Sequence, residues 1–260
     1  MTEFVQQDLK GARFDDVYLT GATFHDVELD DATFRMVTMR RTQIRDAILQ
    51  DMVIDAELDN VVINGVDVVP LVEAELDRRQ PDRVKMRPTD PDGFREAWTV
   101  LERLWAGTVE RARRLPEDQL HERVDREWSF VQTLRHLSFA TDAWVRRALL
   151  GEPDPWHPLD LPHDDMADSP PVPRDYDARP SLDEVLALRA DRMATVRAVV
   201  DGLTDQRLDA MTEPVTEPGY PAPESYPVRR VLRTILNEEW LHRQFAERDL
   251  AVLESRTPPA

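Results

Sequence analysis

Glu238 and His242 are the two residues whose types and spacing are best suited to chemistry. His242 lies seven residues after Ile235 and Glu238 seven residues after Val231, so both fall on the apolar stripe that a helix would turn toward its core. Residues four apart on a helix have Cβ atoms about 5–6 Å apart. They can therefore form a structural hydrogen-bonded or ionic pair, or they can share a metal ion, and both interpretations remain open.

A catalytic metal site needs a third protein ligand and one open coordination position. His136, in the stretch EWSFVQTLRHLSFATDAWV, is the leading candidate. By helical angle it lies beside the main apolar stripe, on the flank with Thr133 and Ala140, so periodicity gives limited support for an inward position. A lone histidine in this setting is more often structural than a ligand. The weaker candidates are His25, His121, His157 and His163.

The segments around these residues have the apolar spacing of three and four that is typical of helices. Ser181 followed by Glu184 indicates a capping box, and Gly151 and Gly202 fit helix ends. Long proline-rich segments precede the third and fourth of these helices and are candidates to cover one end of the structure. We predict a four-helix bundle with helices over residues 94–115, 129–151, 181–203 and 228–254.

The first 70 residues follow a different pattern, with a large apolar residue at every fifth position. A period of five fits neither an α-helix nor a plain strand, so a regularly turning coil is needed to bring these residues inward. The register slips by one residue and resumes at Leu58, Ile63 and Val68. The residues that define the period are Phe4, Leu9, Phe14, Leu19, Phe24, Leu29, Phe34, Met39, Ile44, Leu49 and Ile54.

Stretches such as GARFDDVYLTGATFHDVELDDATF resemble the pentapeptide-repeat family. The resemblance implies a short right-handed quadrilateral β-helix of about three coils, near the minimum that a solenoid needs for a continuous core. We expect this β-helix over residues 1–70. A capping helix and a proline-rich linker are expected over residues 71–91, where three prolines in the linker interrupt any helix.

The later part of the chain, residues 92–254, resembles the DinB superfamily. The resemblance rests on Trp128-Ser129 followed after six residues by His136, on the late run NEEWLHR, and on the predicted bundle. It implies a DinB-like four-helix bundle, and thus a multidomain β + α protein. It also implies a divalent metal, zinc or nickel, bound by His136, Glu238 and His242. Many members have histidine at the position of Glu238, whereas thiol-dependent maleylpyruvate isomerases of the superfamily have glutamate there.

The same resemblance implies a thiol S-transferase or isomerase that uses a low-molecular-weight thiol such as mycothiol. Glu239 is then an acid/base or a hydrogen-bonding partner beside the metal ligands, although a surface ion pair with Arg243 is an equal alternative. Trp128, Trp144 and Trp240 are expected to line the pocket for the thiol and its electrophilic substrate.

Composition limits the remaining possibilities. The chain has no cysteine, so a reactive thiol must come from outside, and a cytoplasmic location is expected. The net charge of −18 argues against a basic surface for direct nucleic-acid binding, and no apolar run is long enough to predict a membrane span. The alternative function is a non-catalytic binding or scaffold protein, in which the acidic repeats mimic DNA, contact a partner or form a homodimer.

Overall fold

The computed structural model describes residues 3–125, 127–164, 166–167 and 169–256. By their internal contacts the residues divide into two compact units, Met1–Glu57 and Leu58–Ala260. Within the described ranges, every helix is too short or too polar to cross a lipid bilayer.

The backbone of the first unit confirms the period of five. A residue with positive φ recurs at every fifth position from Gln6 to Asp51. Many of these positions hold glycine or aspartate, the residue types that tolerate the left-handed region best. Local hydrogen bonds that each close a turn recur every ten residues, and the first joins the Ala12 N–H to the Leu9 carbonyl at 2.9 Å. The repeated residue types therefore encode repeated turns.

The burial expected for this unit is not observed. All of residues 3–57 are exposed, and the rings of Phe14 and Phe24 keep 59% and 63% of their surface accessible. No strand forms among these residues, so the expected quadrilateral β-helix is not confirmed. A repeat unit cannot bury its apolar face alone, and about three coils are near the minimum for a continuous core.

The segment in which the repeat was expected to resume forms a β-hairpin instead. Strand β1 (Val62–Ile63) pairs antiparallel with β2 (Val66–Asp67). The two residues between them, Asn64 and Gly65, both have positive φ, as a tight two-residue hairpin turn requires. The Asn-Gly dipeptide fits this turn, and positive φ at Asn60 and Gly65 also follows Leu58 and Ile63 by two residues, as it does in the repeat.

Two short helices lead from the hairpin to the bundle. Helix α1 spans Val69–Arg79 and a 3₁₀-helix spans Pro81–Met86. The prolines of the predicted linker end the first helix and permit only the tighter one. Arg83 bonds to Glu73 and Asp77, and this ion-pair network joins the two helices.

The second unit contains the predicted helical bundle. Its long helices are α2 (Pro91–Ala112), α3 (Phe130–Thr141), α4 (Leu182–Asp201) and α6 (Val228–Arg256). The short helix α5, Asp205–Leu208, precedes α6. Helices α2 and α3 each pack against both α4 and α6, which gives a closed four-helix arrangement.

The helix ends explain why these segments fold where they do. The predicted capping box of Ser181 and Glu184 is present at the start of α4, and Ser129 forms another with Gln132 at the start of α3. Helix α3 continues as a π-helix over Asp142–Leu149. This wider winding is rare and is often found at functional sites.

The repeat and the bundle predict opposite responses to loss of a phenylalanine ring. Phe24→Ala should change the free energy of unfolding by less than about 0.5 kcal/mol, because the ring is exposed. Phe94→Ala, the matched control in α2, should lower it by about 3–5 kcal/mol because Phe94 is fully buried. Urea unfolding followed by circular dichroism measures both. Equal losses would show that the repeat buries its rings in solution.

Candidate metal centre

His136 lies on α3 and is almost fully buried. Its Nδ1 is 3.0 Å from the carbonyl oxygen of Leu161, in the long loop before α4. A carbonyl can only accept, so we assign the ring proton to Nδ1. The other ring nitrogen, Nε2, then carries a lone pair, which is the form in which histidine binds a metal.

Helix α6 brings Glu238 and His242 to this ring from the opposite side. Glu238 Oε2 lies 3.3 Å from His136 Nε2 and also 3.3 Å from His242 Nδ1. His242 Nδ1 is in addition 2.9 Å from the Glu238 carbonyl oxygen. Both histidines thus have Nδ1 committed to a backbone carbonyl, while a carboxylate oxygen faces the lone pair of His136 Nε2.

The three side chains fit a divalent metal ion. One ligand atom from each of His136, Glu238 and His242 lies within 4.8 Å of the others. Metal bonds of about 2.0–2.2 Å at tetrahedral angles place ligand atoms roughly 3.3–3.5 Å apart. The separation of 3.3 Å between His136 Nε2 and Glu238 Oε2 already matches this spacing. Two imidazoles and one carboxylate form a normal zinc ligand set.

The protonation states also suit metal binding. Burial, and then the nearby His136, lowers the pKa of His242 to about 4. Burial acts to raise the pKa of Glu238, but the nearby imidazoles of His136 and His242 outweigh it and leave the pKa below its ordinary value. At neutral pH an ionised carboxylate therefore faces neutral imidazole, as ligation requires.

Aromatic rings surround the two histidines. The ring of Trp128 lies 4.4 Å from that of His136 and 6.0 Å from that of His242, measured between centroids. Phe139 lies 6.0 Å from His136, and Phe245 lies 5.9 Å from His242. These rings limit how far either imidazole can turn, so packing as well as hydrogen bonding holds the ligand atoms in place.

The structure places only one of the three predicted pocket tryptophans against the histidine rings. Trp128 contacts both of them, as described above. Trp144 lies instead beside Tyr220 and Tyr226, at centroid distances of 5.9 and 5.4 Å. Trp240 is buried in the apolar core of the bundle.

Glu239 points away from the ligands and forms a buried ion pair. Its two carboxylate oxygens each accept a hydrogen bond of 2.8 Å from Arg189 of α4, and both side chains are almost fully buried. The alternative partner from the sequence, Arg243, bonds instead to Thr108 and Glu247. A carboxylate held by both terminal nitrogens of a guanidinium group is poorly placed to exchange protons with a substrate, so the geometry favours a structural role.

Sequence reasoning missed several residues around the site. The Leu161 carbonyl that orients His136 is a backbone group in an irregular loop, where the sequence has no periodic signal. The charge of His163 acts on the pKa of Glu238, although this histidine was a weaker candidate. Arg189 lies on the buried face of α4, and an arginine at an otherwise apolar position was a signal that could have predicted a buried acidic partner.

Comparison with known families identifies the bundle. The family model of the DinB superfamily matches residues 100–246, which is more than half of the chain. The chain belongs to the DinB superfamily. Models of pentapeptide repeats match residues 3–35 and 12–51, so the family resemblance at the start of the chain is also confirmed. No curated protein and no solved structure matches the chain.

Access to the candidate metal site is restricted. The side chains of His136, Glu238 and His242 keep 7%, 28% and 19% of their surface exposed. A broad groove of about 410 Å³ opens at the start of α6, but none of its lining residues belongs to this group. A substrate would therefore have to reach the exposed edge of Glu238 and His242 between the aromatic rings.

The buried pair of Glu239 and Arg189 generates a stability prediction. Arg189→Ala leaves a carboxylate without its partner in the core and should lower the free energy of unfolding by about 3–5 kcal/mol. Arg113→Ala breaks an exposed ion pair with Asp183 and should lower it by at most about 1 kcal/mol. Chemical denaturation measures both variants, and a similar small change in each would contradict the buried pair.

Proposed function

We propose that this DinB protein is metal-dependent and acts as a low-molecular-weight-thiol S-transferase or isomerase. The ion is a divalent metal, with zinc favoured by the ligand set, and the thiol is a cytoplasmic one such as mycothiol. The chain has no cysteine, so the nucleophilic sulfur has to come from a co-substrate.

One observation carries the proposal. The carboxylate of Glu238 lies between two imidazoles whose Nδ1 atoms are both directed at backbone carbonyls. A partly buried carboxylate is stabilised by a positive partner, and neither imidazole supplies one when it is neutral. A divalent cation satisfies the carboxylate and the lone pair of His136 Nε2 at the same time.

The chain contributes positioning and electrostatics to the reaction. The Leu161 carbonyl and the ring of Trp128 fix the plane of His136, so that its lone pair points at a defined position. The surrounding rings exclude water from one side of the site. A metal bound by these residues would lower the pKa of a coordinated thiol and present it as a thiolate at neutral pH.

A second candidate function is a scaffold in which the metal only stabilises the bundle. Two observations favour it. The ligand side chains are largely covered, and the first unit exposes apolar residues such as Phe24 and Tyr18, which a protein partner would cover. In this alternative, metal binding is retained but no thiol chemistry occurs.

Metal content tests the ligand assignment. The purified protein should contain about one zinc ion per chain, and His136→Ala and His242→Ala should each reduce the content sharply because a three-residue site loses a ligand. Elemental analysis after dialysis against a weak chelator measures this. His25→Ala, in the exposed repeat, is the matched control and should retain the metal. Full zinc content in both ligand variants would refute the assignment.

Thiol consumption separates the enzyme from the scaffold. The zinc-loaded protein should consume mycothiol in the presence of an electrophilic substrate, and chelation of the zinc should abolish the turnover. Arg189→Lys keeps a cation for Glu239 away from the ligands and should slow the reaction less than His242→Ala. If a panel of biological thiols and electrophiles shows no consumption above the metal-stripped protein, the scaffold is favoured.

A further inference from the structure

A second group of buried acidic residues lies where α3 passes into the π-helix. Asp142, the first residue of the π-helix, and Asp160, in the loop before α4, are both fully buried and bond to each other. Asp142 Oδ2 accepts a hydrogen bond of 2.7 Å from Arg192 of α4. Asp160 Oδ2 accepts one of 2.9 Å from the His157 backbone N–H. No step of the proposed reaction uses this pair.

Two carboxyl groups can bond to each other only when one of them carries a proton. Asp160 is the one that carries it, because burial and then the charge of Asp142 raise its pKa to about 8. Asp142 keeps its charge with the help of Arg192, although burial also raises its pKa. Asp160 Oδ1 is buried and receives no hydrogen bond from the described residues. A proton on this atom, donated to Asp142, satisfies both side chains.

Other charged groups also face the pair. Arg146 of the π-helix lies 3.4 Å from Asp142 Oδ1. Arg135 of α3 is fully buried and acts on Asp160 through its charge. Burial, and then the charge of Arg192, lowers the pKa of His157, so this residue is neutral at neutral pH and adds no charge. Arg146 and Arg192 are paired with Asp142 and also with Glu152 and Asp191, and Arg135 bonds to backbone carbonyls, so the proton remains necessary.

The turn that contains Asp160 is connected directly to the metal ligand on α3. The Asp160 N–H bonds to the His157 carbonyl at 2.8 Å and closes the turn. On either side of Asp160, the Leu159 carbonyl accepts from Arg135 Nε at 2.7 Å and the Leu161 carbonyl accepts from His136 Nδ1 at 3.0 Å. Asp160 therefore lies between two residues whose carbonyls both accept hydrogen bonds from side chains of α3.

We propose that Asp160 is a positioning residue for the metal site: its proton-mediated bond to Asp142 holds the turn 157–161 against α3, so that the Leu161 carbonyl fixes the ring of His136. This inference rests on the proposed metal-binding function. Asp160 is then a residue outside the three ligands that influences the affinity of the site for the metal. Loss of such an outer partner typically weakens metal binding about 10–100-fold.

The pH dependence of this attachment follows from the raised pKa of Asp160. The pKa of Asp160 rises from an ordinary 3.8 to about 8 on folding, so the folded state holds an extra proton between these values. The stabilising contribution is complete below the ordinary pKa and is lost progressively as the pH rises to about 8. Above that pH two buried carboxylates repel each other, and the turn loses its attachment to Asp142.

Zinc alone is the probe, and competition with a chromophoric chelator between about pH 6.5 and 9.5 measures its affinity. Asp160→Asn is the matched control, since its amide donates to Asp142 and accepts from the His157 N–H without ionising. We expect the wild type to lose affinity above pH 8 by about tenfold more than Asp160→Asn, because the variant keeps the attachment. Asp160→Ala should bind zinc about 10–100-fold more weakly at pH 7.

Parallel pH profiles of the wild type and Asp160→Asn would overturn the inference and leave the metal site intact. If the wild type binds no zinc, the proposed function fails, and the ring nitrogen resonances of His136 then decide the positioning role. Nitrogen-15 NMR should show the Nδ1–H tautomer in the wild type and in Asp160→Asn at pH 7, and should show tautomer exchange in Asp160→Ala. An unchanged tautomer in a folded Asp160→Ala, checked by circular dichroism, would also overturn the inference.

Discussion

The bundle depends on one constraint: a carboxylate buried among helices needs a positive partner or a proton. Glu239 has the guanidinium of Arg189, and Asp142 has Arg192 together with the proposed shared proton. Glu238 is partly buried between the imidazoles of His136 and His242, and in the proposed function a metal ion would supply its positive partner. The two ion pairs join α6 and the π-helix to α4, so these charges also contribute to the arrangement of the helices.

The candidate site could be predicted only where helical spacing carried the information. The interval of four between Glu238 and His242 predicted that they would meet, and they do. Their burial was less well predicted, because the fully buried acid is Glu239. An α-helix has 3.6 residues per turn, so positions seven residues apart drift gradually around the helix surface. The DinB resemblance, and not periodicity, brought His136 to the pair. The loop residues around them had no periodic signal at all.

The two units show how local and non-local information differ. Turns at every fifth residue from Gln6 to Asp51 follow from local preferences for positive φ, and the sequence pattern predicted them. Burial of Phe24 requires contacts between coils, which the pattern alone does not ensure, and the ring is exposed. In the bundle, apolar stripes and caps agree with each other, so the four helices and the capping box at Ser181 were predictable.

Diffraction at the zinc absorption edge, from crystals of the protein grown with zinc, tests the central claim most directly. The account predicts an anomalous peak within bonding distance of His136 Nε2, a carboxylate oxygen of Glu238 and a ring nitrogen of His242, at about 2.0–2.2 Å. The bond from His136 Nδ1 to the Leu161 carbonyl should remain in place. A structure in which the three side chains bond only to one another, with zinc absent or bound elsewhere, would contradict the account.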